Sequence, residues 1–239
     1  MEKKNTVLLT VIAVATLLVA VVGATFAYFT AANTTSGDAA GNTSVKTATE
    51  GASLVLNVNK VTGSNNVFYP GTKNFVGATA NATFAEDSQA TDKTYNVSYT
   101  LTGSVTLTET FASTVNWTLY ETETDLSTGL ITCGPVTAYT PEGEGATAVD
   151  NSKTQSCTLA PSLANDSSKA VKTGSIAAGE KTASVTHNGT VTTGGATKYY
   201  YLVVELPETG TDQSADATGK TITIAIDKIE QTGSAVAGA

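Results

Sequence analysis

The chain has 239 residues, 41% of them hydrophobic and only 14% charged, with 13 basic against 21 acidic side chains and a formal net charge of −8. That length and apolar fraction suffice for one mid-sized domain with its own core. A balance this acidic lacks the basic footprint that nucleic-acid binding needs, so partners are expected among proteins and the cell wall, with no nucleic acid.

At the N-terminus, Lys3 and Lys4 precede an almost uncharged run, "VLLTVIAVATLLVAVVGATFAYF", that ends among small residues. A basic start, an apolar middle and a small-residue exit are the physics of a secretory signal. Residues 1–27 are therefore predicted to form a signal helix, with cleavage after Ala27 (Thr25 at the minus-three position) preferred to cleavage after Ala24 (Val22 at that position). A run of about 20 apolar residues is also long enough to span a bilayer, so a retained anchor is the competing reading. Membrane contact is expected only before processing, and the mature protein is expected to be secreted, extracellular and associated with the cell surface. Cleavage lowers the acids from 21 to 20 and the bases from 13 to 11, which leaves a net charge of −9.

Residues 28–52 are mostly small and polar and show no apolar periodicity, which reads as a flexible N-terminal arm. Its apolar anchors are Tyr28, Phe29 and, further on, Val45. From Ser53 the pattern turns to period two. Leu54, Leu56 and Val58 share one face, as do Tyr95, Val97, Tyr99 and Leu101, then Val115, Trp117 and Leu119, then Ile222, Ile224 and Ile226. Turn signals separate these runs: "YPGT" at 69–72, "GPV" at 134–136, "PEGEG" at 141–145, "AAGE" at 177–180 and "TTGGAT" at 192–197. No helical periodicity follows Thr30. Eight to eleven strands rich in Thr, Val, Tyr and Ile predict an all-β fold for residues 53–239, a jelly-roll-like antiparallel β-sandwich preceded by the signal helix.

Within that sandwich, "KYYYLVVEL" (198–206) is apolar on both faces, with Tyr199, Tyr201 and Val203 on one side and Tyr200, Leu202 and Val204 on the other. Such a strand is expected to be covered twice. Its end opens Leu206-Pro207-Glu208-Thr209-Gly210, which matches a sortase wall-anchoring signal. That signal works only with a following membrane span and a basic tail, whereas Asp212, Asp216, Asp227, Glu230 and an alternating strand follow here. The string is read as a strand end running into a polar connection.

Cys133 and Cys157 are an even pair in a chain predicted to reach an oxidising compartment, and a disulfide between them is expected. It would close a loop of about 25 residues, for which chain entropy gives ~3 kcal/mol. Two unpaired thiols are the alternative, and the spacing does not suggest a metal site. His187 is the only histidine. It is read as an exposed residue beside an Asn188-Gly189 hairpin turn, and every Ser- or Cys-based nucleophile scheme would depend on it. Glu121, Glu123 and Asp125, two apart, would share a strand face as a weak cation site or a solvated edge. No enzyme activity, catalytic residue, metal or cofactor is expected.

The segments "GATFAYFTA", "FYPGTKNFVGATANATF", "GSIAAGEKTASVT" and "YYYLVVELPETGTDQSADATGKTITIAI" together resemble the TasA and camelysin family of secreted Gram-positive proteins. The family's C-terminal pattern maps onto Tyr199 to Leu206, Asp212, Gln213 and Gly219, while the cysteines have no counterpart in it and the polar stretch 140–170 reads as an insertion. The resemblance implies a signal peptide handled by a SipW-type signal peptidase, a jelly-roll sandwich, and a subunit of extracellular biofilm-matrix fibres. It implies a head-to-tail homopolymer built by donor-strand exchange, with the arm running from Tyr28 and Phe29 toward Val45 as donor. A monomeric cell-surface adhesin is the alternative. A camelysin-like metalloprotease is a third reading, and the pair of histidines one helical turn apart that serves zinc hydrolysis is missing.

Overall fold

Alternating positions become strand along the chain, because a pleated backbone sends successive side chains to opposite faces. A computed structural model describes residues 42–46, 52–59, 68–84, 94–140, 149–216, 220–232 and 236–237, all within one compact unit, Thr34–Ala239. The leader with Ala27, and the arm residues Tyr28 and Phe29, lie outside the described residues. The strands are β1 (Asn42–Lys46), β2 (Ala52–Asn59), β3 (Lys73–Phe84), β4 (Tyr95–Leu107), β5 (Val115–Thr122), β6 (Ile131–Tyr139), β7 (Val149–Leu159), β8 (Ala170–Ile176), β9 (Thr182–Thr192), β10 (Lys198–Glu205), β11 (Ile222–Gln231) and β12 (Val236–Ala237). Among the described residues, helix is limited to α1 (Pro161–Ala164) and the 3-10 turns Ser167–Lys169 and Ser214–Asp216.

Among the described residues every pair of these strands is antiparallel, with one isolated parallel bridge between Ala82 and Thr193, and the strands form packed sheets, so the protein is the all-β antiparallel sandwich that the alternation predicts. The first sheet runs β1-β2-β3-β10-β5-β8. The second centres on β4, with β9 along one side and β11 along the other, where β12 continues the line of β11. A separate two-stranded sheet pairs β6 with β7. Among the described residues the first sheet begins at Asn42, inside the segment read as an arm, ahead of the boundary at Ser53. β1 pairs with β2 in unbroken register, Val45 opposite Leu54. With a single apolar residue, Val45, in its five, this strand has no apolar periodicity to announce it.

The core lies between the two large sheets. Val76 and Ala80 of β3, Leu119 of β5 and Leu202 of β10 meet Val97, Leu101 and Val105 of β4, Val185 of β9 and Ile226 of β11, all at most 4% exposed. β10 divides its side chains as its sequence predicts. Tyr200, Leu202 and Val204 enter this core, while Tyr201 and Val203 enter a second cluster with Leu130 and Leu163. Burial of side chains this size contributes about 1.5–3 kcal/mol each, so a strand apolar on both faces needs a second cover.

That cover is the segment between β5 and β8. Leu126, Ile131 and Leu159 flank the second cluster, and Pro161 starts α1 so that Leu163 turns inward. The β6–β7 hairpin is fastened to the sandwich by Gln155, whose N–H donates to Pro70 O at 2.8 Å and whose Oε1 accepts from Thr72 Oγ1 at 3.0 Å. Of the turn signals, "YPGT", "AAGE" and "TTGGAT" are turns, each with a glycine at positive φ (84°, 86° and 70°). "GPV" is not a turn: Gly134 and Pro135 form the register break between Cys133 and Val136 inside β6, since a residue lacking an N–H is accommodated at a bulge. "PEGEG" lies outside the described residues.

Candidate functional site

Where β5, β10, β4 and β9 converge, the inter-sheet space is polar. Glu121 reaches in from β5 and Tyr200 from β10, opposite Tyr99 of β4 and His187 of β9. Tyr200 donates its hydroxyl to Glu121 Oε2 at 2.8 Å, so the hydrogen bond between the Tyr99 and Tyr200 hydroxyls must have Tyr99 as donor. The two rings meet edge to face, 6.2 Å between centroids and 75° between planes. His187 Nε2 lies 3.5 Å from Glu121 Oε2. Lys198 Nζ sits 3.4 Å from Glu121 Oε1 and donates to Glu123 Oε1 at 2.7 Å.

The electrostatics decide what this cluster can do. The His187 contact holds the Glu121 carboxyl down at about 2 against the opposing effect of burial, and Tyr200 and Lys198 add to the lowering. Burial pushes Tyr99 up to about 12 and raises Tyr200 as well. At neutral pH the cluster therefore holds a carboxylate and two intact phenols. A carboxylate that weakly basic is far from the range useful for proton abstraction, and phenols raised in this way are poor nucleophiles. What the arrangement does well is tie one sheet to the other through a hydrogen-bonded chain in a low-dielectric gap.

This geometry corrects the reading of His187. It is not beside a hairpin turn: Asn188 and Gly189 continue β9, with Gly189 directly opposite Tyr99. The Tyr99 ring occupies the place where a Cβ at Gly189 would lie. The glycine therefore marks a ring packed over a strand, a demand that the Asn-Gly string cannot reveal. The three carboxylates do not share a strand face either, because β5 ends at Thr122. Asp125 lies in the following loop, where it accepts from Ser127 N at 2.8 Å and from the Tyr201 hydroxyl at 3.0 Å. Among the described residues, no group of three or more His, Cys, Asp or Glu is placed to hold a metal ion.

A second polar tie secures the chain after β10. Asp216 is fully buried and accepts from Ala112 N at 2.7 Å, Ser113 N at 2.8 Å and Lys220 Nζ at 3.0 Å. Burial opposes its charge, yet these donors prevail and hold its carboxyl below the ordinary value. Gln213 supports the same loop, donating to Ser113 Oγ at 2.9 Å and Pro207 O at 3.1 Å while accepting from Thr209 N at 2.9 Å. Asp212 accepts from Ser214 N at 2.9 Å. The sequence singles out Asp212 and Gln213 through the resemblance but shows Asp216 only as one more acid. Gly219 lies outside the described residues.

These contacts also place the sortase-like string. Leu206 is fully buried, with its O accepting from Gly71 N at 2.7 Å and its N–H donating to Thr72 O at 3.2 Å. Presenting the string as an extended substrate would require extracting that side chain. Cys133 and Cys157 are directly opposite each other in the β6–β7 ladder and are joined by a disulfide.

Among the described residues, each large sheet ends on strands with one paired side. These are β1 and β8 in the first sheet, and β9 and the β11–β12 line in the second. No family model, curated protein sequence or solved structure matches the chain. What fold and sites define is a class: an antiparallel sandwich pinned internally by polar ties, with the first of its described strands at a sheet edge.

Proposed function

We propose that the protein is a secreted structural subunit of extracellular, biofilm-matrix-type filaments, assembled head to tail by strand donation between copies. The observation that carries this reading is β1. It lies shortly downstream of the predicted leader, pairs with β2 on one side, and has no strand on its other side among the described residues. A strand at that position can leave its own sheet and complete a neighbour's, exchanging one backbone ladder for an equivalent one. Because donor and acceptor surfaces differ, the contact propagates instead of closing. Cleavage after Ala27 by a SipW-type signal peptidase would free Tyr28 and Phe29 as apolar anchors for the incoming segment. The weak basicity of Glu121 supports a structural role over a hydrolytic one.

Mass spectrometry of the secreted form tests the processing step, and electron microscopy of a variant lacking residues 28–50 tests the donation. Loss of filaments in that variant is expected, and unchanged filaments would eliminate the arm. The adhesin reading is favoured by one feature, the disulfide-stapled hairpin, whose strand β6 exposes nearly every side chain, including Val136 at 40%. It predicts a monodisperse species that binds a surface ligand, where the filament reading predicts concentration-dependent polymers.

A further inference from the structure

We propose that β9 is a self-recognition edge, through which two copies of the chain pair antiparallel about a two-fold axis at His187. Exposed strand edges invite foreign strands, and proteins ordinarily blunt them with charge, proline, bulges or brevity. Three edges here are blunted. β11 carries Asp227, Lys228 and Glu230 and a register break between Ile226 and Lys228. β8 carries Lys172 and borders a break at Leu119/Tyr120. β1 is only five residues long and ends in Lys46.

β9 has none of these defences. It runs eleven residues, Thr182–Thr192, in unbroken register with β4, and contains no proline, lysine, arginine or carboxylate. Among the described residues, no strand pairs with its other side.

Its sequence, "TASVTHNGTVT", specifies the occupant. An isologous contact requires residue i to meet j while j meets i, so a self-pairing strand must read alike in both directions. About His187, Thr182 meets Thr192, Ser184 meets Thr190 and Thr186 meets Asn188 on the outward face. On the inward face Val185 meets Gly189, over which Tyr99 already lies. Hydroxyl thus meets hydroxyl or amide in every outward row, the kind of cross-strand pairing that favours an antiparallel ladder. An unrelated partner strand would place no such symmetry on β9. The adjoining strand β4 is also free of charged residues, so two acidic molecules meet along strands that add no charge repulsion of their own. The contact would join two second sheets into one continuous sheet. It closes after two copies and so differs from arm donation, which propagates.

Charge swapping at two exposed outward positions tests this. One processed full-length variant carries Ser184→Lys and Thr190→Lys, and another carries Ser184→Glu and Thr190→Glu, with tryptophan emission and circular dichroism verifying the fold. In sedimentation velocity over a dilution series, the wild type is expected to form a pair. Each variant alone should associate at least tenfold more weakly, and an equimolar mixture should recover pairing. A wild type without the paired species, variants that pair like the wild type, or a mixture that stays apart would each overturn the proposal. Head-to-tail growth without the pair refutes this contact and leaves arm donation standing. A retained pair after deletion of residues 28–50, with growth lost, supports both.

Discussion

Replacing Asp216 by Asn removes one charge and almost no volume, and the cost is set by the groups around that side chain. The carboxylate is fully buried and accepts from two backbone amides and from Lys220, which is itself only 13% exposed. The new amide can accept through one oxygen only, so one of the Ala112 and Ser113 N–H groups faces an NH2 group. Hydrogen bonds to charged groups are worth about 1.5–3 kcal/mol, and breaking a buried ion pair costs about 3–5 kcal/mol. Lys220 retains part of its environment, since it also donates to Thr110 O at 2.7 Å and lies 5.0 Å from the centre of the Phe111 ring. A loss of about 3 kcal/mol at neutral pH is therefore expected, below the full cost of an abandoned buried charge. With a urea slope of about 2 kcal/mol per molar, the unfolding midpoint should fall by about 1.5 M with the slope unchanged. The sign of the pH dependence comes from linkage. The carboxyl is held below its ordinary value of 3.8, so its contribution is present above that pH and fades as pH falls further. Wild type and Asp216→Asn should accordingly converge in strong acid. A midpoint shift under about 0.3 M at pH 7, or a gap that persists unchanged below about pH 3, would refute this account of the tie.

Glu121→Gln probes the inter-sheet cluster in the same way. Its carboxyl is held at about 2 against an ordinary 4.5, so the wild type should lose that group's contribution between those two values while the variant does not. At 24% side-chain exposure solvent screening trims the linkage to about 2 kcal/mol, readable as converging urea midpoints in an acid titration. Reduction of Cys133–Cys157 removes at most ~3 kcal/mol and acts locally, because a two-stranded hairpin is marginal by itself. Amide exchange in β6 and β7 should accelerate while that of β4 and β10 stays slow, and equal acceleration everywhere would contradict it. Gly174→Ala puts a methyl into the Trp117 ring, against which Gly174 packs from β8. A cost of about 1–3 kcal/mol is expected, together with altered emission from the single tryptophan.

How far the chain is legible depends on the range of the interaction involved. Tyr95, Val97, Tyr99 and Leu101 announce β4 because each needs only its own neighbours two residues away, and "KYYYLVVEL" announces a strand covered on both faces for the same reason. The sequence misplaces His187 because Asn188-Gly189 has two physical causes, a tight turn or an aromatic ring resting on a strand. Only Tyr99, nearly ninety residues earlier in sequence, separates them. Asp216 is one acid among 21 until the fold carries Ala112, Ser113 and Lys220 around it. β1 is invisible to periodicity because its five residues, NTSVK, hold a single apolar side chain and so offer no alternation to read.

The amino-acid order by itself determined the all-β class, the faces of its long strands and the need to cover β10 twice, since alternation and apolar content are local properties of a pleated backbone. Which strands are neighbours, where Glu121 meets His187 and Tyr200, and which edges stay open were decided only by tertiary structure. Those facts depend on register between segments far apart in sequence, and a strand's own residues encode what its faces require without encoding which distant partner meets the requirement.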